Sequence, residues 1–302
     1  MLQTTKKTDL NALLNDLAEE LDLAESAYEE AKKRYDAVGK WLNESEALAP
    51  YDPKIFPQGS IALGTAIKPQ EGSEVDVDAV CLLKIKKAVT TQQRLKNAVG
   101  LRLKEHGVYK EMLDPKDGGR RCWTLRYADE AKFHLDILPA IPDEDFERLV
   151  ARGVPRDFAK TALYITDKTQ WDTADWPKTN PEGYVAWFRG RMKVVFEQRR
   201  FVIARETKAQ VQDVPEYKVR TPLQRAVQLL KQHRDLKFKG DDDQPISIII
   251  TTLAAQSYNN EADLFEALRN MLPKMRAGVE NRNEVFWVPN PVNPDENFAD
   301  KW

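Results

Sequence analysis

The first fifty residues place apolar and charged side chains with the period of an α-helix. Apolar residues recur every three or four positions from about Leu10 to Leu42, which predicts one long amphipathic helix or two helices in line. A coiled-coil arm is the alternative, but the strict heptad repeat drifts near Tyr28. We therefore expect a long N-terminal helix, within residues 1–48, that packs as a spine against the rest of the same chain.

Residues 49–156 combine strand and helix patterns. The runs EVDVDAVCLLKI and FHLDILPAI alternate apolar and polar positions, which predicts two strands. Between them, TQQRLKNAVGLRLKEHG predicts a helix and CWTLRYA predicts a further strand. This order of elements is typical of a mixed α/β unit.

From residue 157 to residue 302 the pattern becomes mainly helical. Thr221, Pro222 and Gln224 supply an N-cap, a first-turn proline and a capping-box partner for one of these helices. The segment ISIIITTLAAQSY suits a strand or a buried helix, and its length and flanks favour the helix. The final stretch, WVPNPVNPDENFADKW, predicts a loop. The expected fold class is α+β, with a mixed core, a mainly helical lobe and the N-terminal spine.

The charge balance and the cysteine content limit the classes of function. The 302 residues include 46 Lys and Arg against 48 Asp and Glu, so the bulk charge does not predict a long nucleic-acid track. Cys81 and Cys122 are the two cysteines and lack metal-ligand spacing, which fits a reducing compartment and predicts a cytoplasmic protein. No run approaches the ~20 apolar residues that span a bilayer, so no membrane partner is expected.

Two aspartates of the first predicted strand share one face. Asp76 and Asp78 are two residues apart, so both side chains leave the strand on the side opposite to the neighbouring valines. Ionised carboxylates this close repel each other unless a cation neutralises them, which predicts a Mg²⁺ site. Asp136, in FHLDILP, is the expected third carboxylate ligand. Weaker candidates lie in loop-like segments: Asp129, Asp143 and Asp145.

A glycine-punctuated segment precedes the carboxylate strand. In PQGSIALGTAIKP, Gly59 and Ser60 are followed by Gly64 and Thr65. We interpret this segment as a short turn whose bare N–H groups and hydroxyl can hold triphosphate oxygens. The simpler alternative is a structural turn before a solvated acidic strand. The order of phosphate-binding turn, paired carboxylates and later aspartate favours a nucleotidyltransferase site.

These motifs together resemble a known family, the bacterial CD-NTases of anti-phage signalling systems (CBASS), within the DNA polymerase β-like nucleotidyltransferase superfamily. The resemblance covers most of the chain and rests on QGSIALGTAIKP, EVDVDAV, FHLDILPAIP, TNPEGYVAWF, TPLQRAVQLLKQHRD, PISIIITTLAA and NPVNPDENFADKW. It implies a bilobed fold whose helical lobe encloses the NTP pocket. It also implies that NTPs are joined into cyclic or short linear oligonucleotides with release of pyrophosphate.

The resemblance also implies roles for matching residues. Phosphoryl transfer depends on in-line positioning and charge neutralisation more than on a protein nucleophile. The implied cofactor is a pair of Mg²⁺ ions, with Mn²⁺ as the alternative. The implied ligands are Gln58, Gly59, Ser60 and Thr65 for the donor nucleotide, Asp76 and Asp78 for both metals, and Asp136 for the metal that activates the attacking ribose hydroxyl.

Three further residues are candidates for nucleotide contacts. Lys231 contacts the triphosphate, as the resemblance implies, or lies on a solvated basic face. Ser247 contacts a phosphate or a base, or it caps its own helix. Asn180 reads a base edge with its paired donor and acceptor, or it starts a turn before Pro181.

Other polar residues are expected to be structural. His106 and His134 fall in this class, and His134 at most supports the site because it shares a strand face with Asp136. The basic segment GYVAWFRGRMKVVFEQRRFVIARE is expected to be a helix with a solvated face that pairs with acidic residues of the chain. Direct binding of nucleic acid is therefore not expected.

The expected partners are small molecules and one downstream protein. The substrates are NTPs, namely ATP with GTP, UTP or CTP as further candidates, and the product is expected to act on a separate effector protein. A regulatory or activating partner is a further expectation. Two alternatives stay open: transfer of a nucleotide or AMP to tRNA or to a protein, and a nucleotide-binding scaffold without turnover, against which the complete set of three aspartates argues.

Overall fold

The computed structural model describes residues 2–69, 74–127, 133–171 and 173–300. Asp129, one of the weaker carboxylate candidates, lies outside these ranges. None of the helices within them is long and apolar enough to cross a membrane. The chain divides into two compact units, the first made of Met1–Glu25, Leu63–Lys68 and Ala186–Trp302 and the second of Ser26–Ala62 and Pro69–Val185.

Helices and strands of the described residues are numbered in chain order. The helices are α1 Leu2–Glu20, α2 Glu25–Asn43, α3 Gly59–Leu63, α4 Gln92–Glu105, α5 Tyr109–Met112, α6 Glu147–Ala151, α7 Arg156–Ala159, α8 Pro181–Thr207, α9 Pro222–Lys237, α10 Ser247–Ser257 and α11 Leu264–Met275. The strands are β1 Lys54–Pro57, β2 Val75–Leu82, β3 Trp123–Arg126, β4 Phe133–Pro142, β5 Leu163–Ile165, β6 Lys178–Thr179, β7 Glu280–Arg282, β8 Val285–Trp287, β9 Pro289–Asn290 and β10 Asn293–Asn297.

The second unit is built on a mixed sheet. Strands β2 and β4 lie side by side and run parallel, and β1 pairs antiparallel with the other edge of β2. The far edge of β4 pairs antiparallel with β3 and with β5, and β6 continues beyond β5. In β2 the buried Val75 and Val77 alternate with Asp76 and Asp78, as expected for a strand with one polar face. The sheet therefore places the two predicted carboxylate strands next to each other.

Close packing joins helix α4 to strand β3. The indole N–H of Trp123 donates to the carbonyl oxygen of Lys96 at 2.8 Å, and Lys96 Nζ donates to the carbonyl oxygen of Cys122 at 3.0 Å. A Cβ at Gly100 would lie 1.9 Å from the Trp123 ring, so a larger residue would displace the indole. These contacts fix the position of Thr124, the next residue of β3.

The first unit is mainly helical. Helix α1 packs against α9 and α11, and α9 against α10 and α11. Helix α9 begins with the predicted capping box, in which the Thr221 hydroxyl accepts from Gln224 N and the Gln224 side chain accepts from Thr221 N. Two short antiparallel strand pairs, β7–β8 and β9–β10, follow the helices.

The structure refines several elements predicted from the sequence. The N-terminal pattern forms two helices, α1 and α2, and the ambiguous isoleucine-rich segment forms helix α10, as predicted. Two predictions were wrong. The final stretch contains strands β9 and β10 instead of a loop alone, and the glycine-punctuated turn is the short helix α3. Gly59, the first residue of α3, and Gly64, the residue after its end, have φ of 62° and 66°, because glycine readily adopts the left-handed region.

A buried carboxylate makes the second unit sensitive to acid. The Asp167 side chain is fully buried and accepts hydrogen bonds from Arg120 Nε at 2.9 Å, Arg121 Nε at 3.0 Å and Thr169 Oγ1 at 2.7 Å. Burial by itself would raise the pKa of Asp167, but these hydrogen bonds outweigh it and hold the pKa well below its ordinary value. The resulting stabilisation is complete above an ordinary carboxyl pKa of about 4 and is lost as the pH falls toward the lower folded-state pKa.

We expect Asp167→Asn to lower the melting temperature by roughly 5 °C at pH 7, because the buried carboxylate loses its charge and two partly exposed arginines lose their anionic partner. Below about pH 4 the Asp167 carboxyl of the unfolded wild type becomes protonated while that of the folded protein stays ionised, so the stabilisation declines and the difference between the two proteins should narrow. Thermal unfolding of both proteins across this pH range tests the prediction. Asp157→Asn is the control, since Asp157 is 85% exposed beside Lys160 and should unfold like the wild type. A constant difference at every pH would contradict the assignment to ionised Asp167.

Candidate active site

The predicted carboxylates meet on the two neighbouring parallel strands. In the register of β2 with β4, Asp78 lies opposite Asp136 and Asp76 lies opposite His134. Ligand atoms of Asp76, His134 and Asp136 all lie within 4.8 Å of one another, close enough to hold a metal ion. Asp78 leaves β2 on the same face as Asp76. The parallel pairing therefore gathers residues that are about sixty positions apart in the sequence.

The imidazole of His134 bridges two carboxylates. Its Nε2 lies 3.0 Å from Asp76 Oδ1, and its Nδ1 lies 3.2 Å from Glu74 Oε2. Arg126 donates to the same Glu74 oxygen at 2.9 Å. The hydrogen bond with Asp76, which outweighs burial, raises the pKa of His134 to about 9. The protonated ring therefore offsets part of the repulsion among the neighbouring carboxylates at neutral pH.

A hydroxyl from a third strand holds Asp136. Thr124 is the register partner of Asp136 between β3 and β4, and its Oγ1 donates to Asp136 Oδ1 at 2.5 Å. Burial raises the pKa of Asp136, and the hydrogen bond from Thr124 counteracts part of that rise. Carboxylate oxygens gathered in a partly buried place are the ligands that Mg²⁺ and related hard cations prefer. The donor set of this site therefore fits a divalent cation.

Position 59 has to be glycine for two reasons. Its φ of 62° lies in the left-handed region, where residues with a Cβ are strained. A Cβ built on Gly59 would lie 2.4 Å from Asp78 Oδ2. The backbone N–H of Gln58 also donates to the carbonyl oxygen of Asp78 at 2.8 Å. The chain that leads through Gln58 and Gly59 to Ser60, at the start of α3, therefore lies directly against Asp78.

In the first unit, Lys231 contacts Thr65. Lys231 is 6% exposed, and its Nζ donates to the carbonyl oxygen of Thr65 at 2.9 Å, so the alternative of a solvated basic face was wrong. Gln224 and Gln228, on the same helix, donate to carbonyl oxygens of Leu63–Lys68 at 3.0 Å and 2.9 Å. Residues at these spacings share one face of a helix. One face of α9 therefore fixes the backbone that follows α3.

The buried Asn180 side chain makes structural contacts. Its Oδ1 accepts from Thr161 Oγ1 at 2.8 Å and from Gly183 N at 3.1 Å, and its Nδ2 donates to the carbonyl oxygen of Phe158 at 2.7 Å. These bonds start the turn into α8. This is the simpler of the two roles that the sequence predicted for Asn180. A base contact by Asn180 stays a prediction.

Ser247 is the first residue of α10, but its side chain does not cap that helix. The N-cap residue of α10 is Ile246, and this end of the helix has no side-chain capping hydrogen bond. The Ser247 hydroxyl instead accepts from Arg234 Nη1 at 2.8 Å. The alternative of a self-capping serine was therefore wrong, and the phosphate or base contact stays a prediction.

Sequence reasoning missed one contributor to the carboxylate cluster. Thr124 was not singled out because its contact with Asp136 depends on the register between β3 and β4. His134 was expected to support the site at most, and its Nε2 contact with Asp76 fits that supporting role. Its position two residues before Asp136 was the available signal, since both side chains leave one face of β4.

The remaining candidates have other partners. Asp143 is buried and accepts from Arg148 Nη1 at 2.6 Å and from the backbone N–H of Asp145 at 3.0 Å, so both aspartates belong to the turn before α6. Basic side chains of α8 are used for packing. Arg191 donates to the carbonyl oxygen of Ala255 at 2.8 Å, and Arg200 donates to that of Val214 at 2.8 Å.

Comparison with known proteins connects this site with nucleotide chemistry. Residues 9–191 match the family model of the Second Messenger Oligonucleotide or Dinucleotide Synthetase domain. The chain is 31% identical to a c-di-GMP synthase of Roseivirga ehrenbergii, over 100% of this chain and 75% of that protein. It is 25% identical to the cyclic dinucleotide synthase CdnG of Bradyrhizobium diazoefficiens, over 97% of this chain and 70% of that protein.

A solved structure confirms the predicted fold class. The Bradyrhizobium diazoefficiens CD-NTase CdnG in complex with GTP aligns with a TM-score of 0.73 at 22% identity. The alignment covers 97% of this chain and 85% of that one. The fold is therefore that of the polymerase β-like nucleotidyltransferases.

Proposed function

Because this chain belongs to the family of second messenger oligonucleotide or dinucleotide synthetases, we propose that it joins nucleoside triphosphates into a cyclic dinucleotide. The observation that carries the proposal is the meeting of Asp76, Asp78 and Asp136 on β2 and β4. The relative named as a c-di-GMP synthase and the relative solved with GTP favour GTP as a substrate. ATP is the second candidate.

The first bond-forming step transfers a nucleotidyl group from one NTP to another. A ribose hydroxyl of the acceptor attacks the α-phosphorus of the donor, the bond from that phosphorus to the bridging oxygen breaks, and pyrophosphate leaves. A second transfer within the linear intermediate closes the ring and releases a second pyrophosphate. We assign Asp136 to the side of the attacking hydroxyl, and Gln58, Gly59 and Ser60 to the donor phosphates.

Two Mg²⁺ ions are the proposed cofactor, with Mn²⁺ as the alternative. Asp76 and Asp78 would hold both ions and Asp136 one of them. Divalent ions at such a site neutralise the negative charge of the triphosphate and lower the pKa of a bound hydroxyl. Thr124 would orient Asp136, and the buried Lys231 would keep the Thr65 segment in place.

The proposed biological role is signalling in anti-phage defence. A cyclic dinucleotide is a diffusible product, so it would act through a separate effector protein. The reaction would take place in the cytoplasm, where NTPs and Mg²⁺ are available. The family resemblance supports this role.

The test is to incubate the purified chain with all four NTPs and either Mg²⁺ or Mn²⁺, treat the mixture with phosphatase, and identify products by mass spectrometry. We expect a phosphatase-resistant cyclic dinucleotide, because ring closure removes every terminal phosphate. The double variant Asp76→Asn/Asp78→Asn should give none. Omitting one NTP at a time then identifies the bases.

The control is Asp117→Asn, since Asp117 is 83% exposed and is not placed in the site. It should form product like the wild type. Absence of any oligonucleotide from NTPs with either metal would contradict the proposal. Labelling of added tRNA or protein by radioactive NTP under the same conditions would then favour the transferase alternative.

A further inference from the structure

Helix α1 carries an exposed stripe of three leucines. The exposed fractions of Leu10, Leu13 and Leu17 are 45%, 53% and 49%. Their spacing of three and four residues places them on one face of the helix. A different side of α1, which includes the buried Ala18, packs against the rest of the first unit. An apolar stripe with this spacing is typical of a seam that pairs with a second helix.

Charged residues continue the same spacing at both ends of the stripe. Lys6 precedes Leu10 by four residues, and Glu20 follows Leu17 by three. Both charged side chains are exposed. At 1.5 Å per residue, the basic end and the acidic end of this seam lie roughly 21 Å apart. The stripe therefore has a direction, from a positive end to a negative end.

We propose that this stripe pairs with the same stripe of a second copy of the chain, with the two helices antiparallel. With a two-fold axis near Leu13, leucines face leucines, and the Lys6 end of each copy lies beside the Glu20 end of the other. A parallel pair would bring like charges together at both ends. Opposed helix dipoles also favour the antiparallel arrangement. A two-fold contact of this kind uses one self-complementary patch twice and closes as a dimer.

The size of the helix sets the strength of the dimer. Helix α1 has 19 residues, so the seam is no longer than about 28 Å. A single helix pair of this length falls below the roughly 1,000 Å² that a stable interface needs. We therefore expect a weak dimer, with a dissociation constant on the order of 10 to 100 µM.

Sedimentation velocity of the full chain tests the proposal without relying on its enzymatic activity. Between about 5 µM and about 500 µM, a range that brackets the expected constant, the wild type should change from monomer to dimer. Leu13→Glu places two carboxylates near the axis and should remain a monomer throughout. Leu236→Glu is the matched control, since Leu236 is 63% exposed on α9, and it should dimerise like the wild type.

Charge reversal tests the orientation. Lys6→Glu alone and Glu20→Lys alone should each weaken the dimer at least several-fold, because each creates like-charge contacts. The double variant Lys6→Glu/Glu20→Lys should recover wild-type association. A wild type that stays monomeric, a Leu13→Glu variant that still dimerises, or a double variant as weak as the single ones would each overturn the proposal. A parallel dimer would be revealed by single variants that leave the association unchanged.

Discussion

Asp136→Asn is expected to reduce cyclic dinucleotide formation at least about 1,000-fold, equivalent to roughly 4 kcal/mol of transition-state stabilisation. The substitution keeps the shape of the side chain but removes one negative charge from the carboxylate cluster. The amide should therefore still fit beside Thr124 on β3, while the ligand set loses an anionic oxygen. The measurement is the initial rate of product formation at saturating NTP and Mg²⁺, together with the melting temperature of the variant.

The isosteric Thr124→Val variant separates the charge of Asp136 from its orientation. Valine keeps the volume of threonine but removes the hydroxyl that donates to Asp136 Oδ1. We expect a smaller loss, about 10-fold, because one hydrogen bond to a charged group is worth roughly 1.5 kcal/mol. More Mg²⁺ should be needed for half-maximal activity. Wild-type activity in Asp136→Asn would exclude the carboxylate from the site, whereas an unchanged Mg²⁺ requirement in Thr124→Val would exclude the orienting role.

Local patterns predicted the carboxylates, but they did not predict how the carboxylates meet. The two-residue period of a strand places Asp76 and Asp78 on one face whatever the rest of the chain does. Their approach to Asp136 depends on the parallel pairing of β2 with β4, in a register that puts Asp78 opposite Asp136. That register is set by packing across the whole sheet. Sequence periodicity alone therefore gave the ligand types without their geometry.

The contacts of Lys231 could not be predicted for a similar reason. Helical periodicity left open whether Lys231 faced water or the protein. In the structure Lys231 is buried and donates to the carbonyl oxygen of Thr65. This partner lies 166 positions away in the sequence, so the contact could not be predicted from local periodicity. By contrast, the capping box at Thr221 and Gln224 was predicted correctly, since both of its hydrogen bonds join residues three positions apart. Local hydrogen bonds leave a signature in the sequence that long-range ones do not.

Helix α3 is an intermediate case. Its glycines were recognised as the limits of a tight segment, but the segment was interpreted as a turn. Both Gly59 and Gly64 have positive φ values, and the sequence between them, SIAL, is compatible with a helical turn. The need for glycine at position 59 could be expected from a phosphate-binding loop. Its close approach to Asp78 appears only in three dimensions.

Gly59→Ala is expected to reduce product formation at least about 100-fold while the chain stays folded. A Cβ at this position would lie 2.4 Å from Asp78 Oδ2, so the carboxylate or the start of α3 has to move. Left-handed backbone also destabilises alanine relative to glycine by about 1 kcal/mol, which should lower the melting temperature by a few degrees. Rates at saturating NTP and thermal unfolding of the same preparation measure the two effects separately.

Gly240→Ala is the control that distinguishes these two effects. Gly240 also has a positive φ, 80°, but a Cβ there meets no atom within 4 Å. The control therefore reproduces the backbone strain without any contact to a carboxylate, and it should lower the melting temperature similarly while keeping wild-type activity. Equal loss of activity in both variants would assign the effect to general destabilisation. Loss in Gly59→Ala alone would support the requirement that the backbone at the start of α3 lie directly against Asp78.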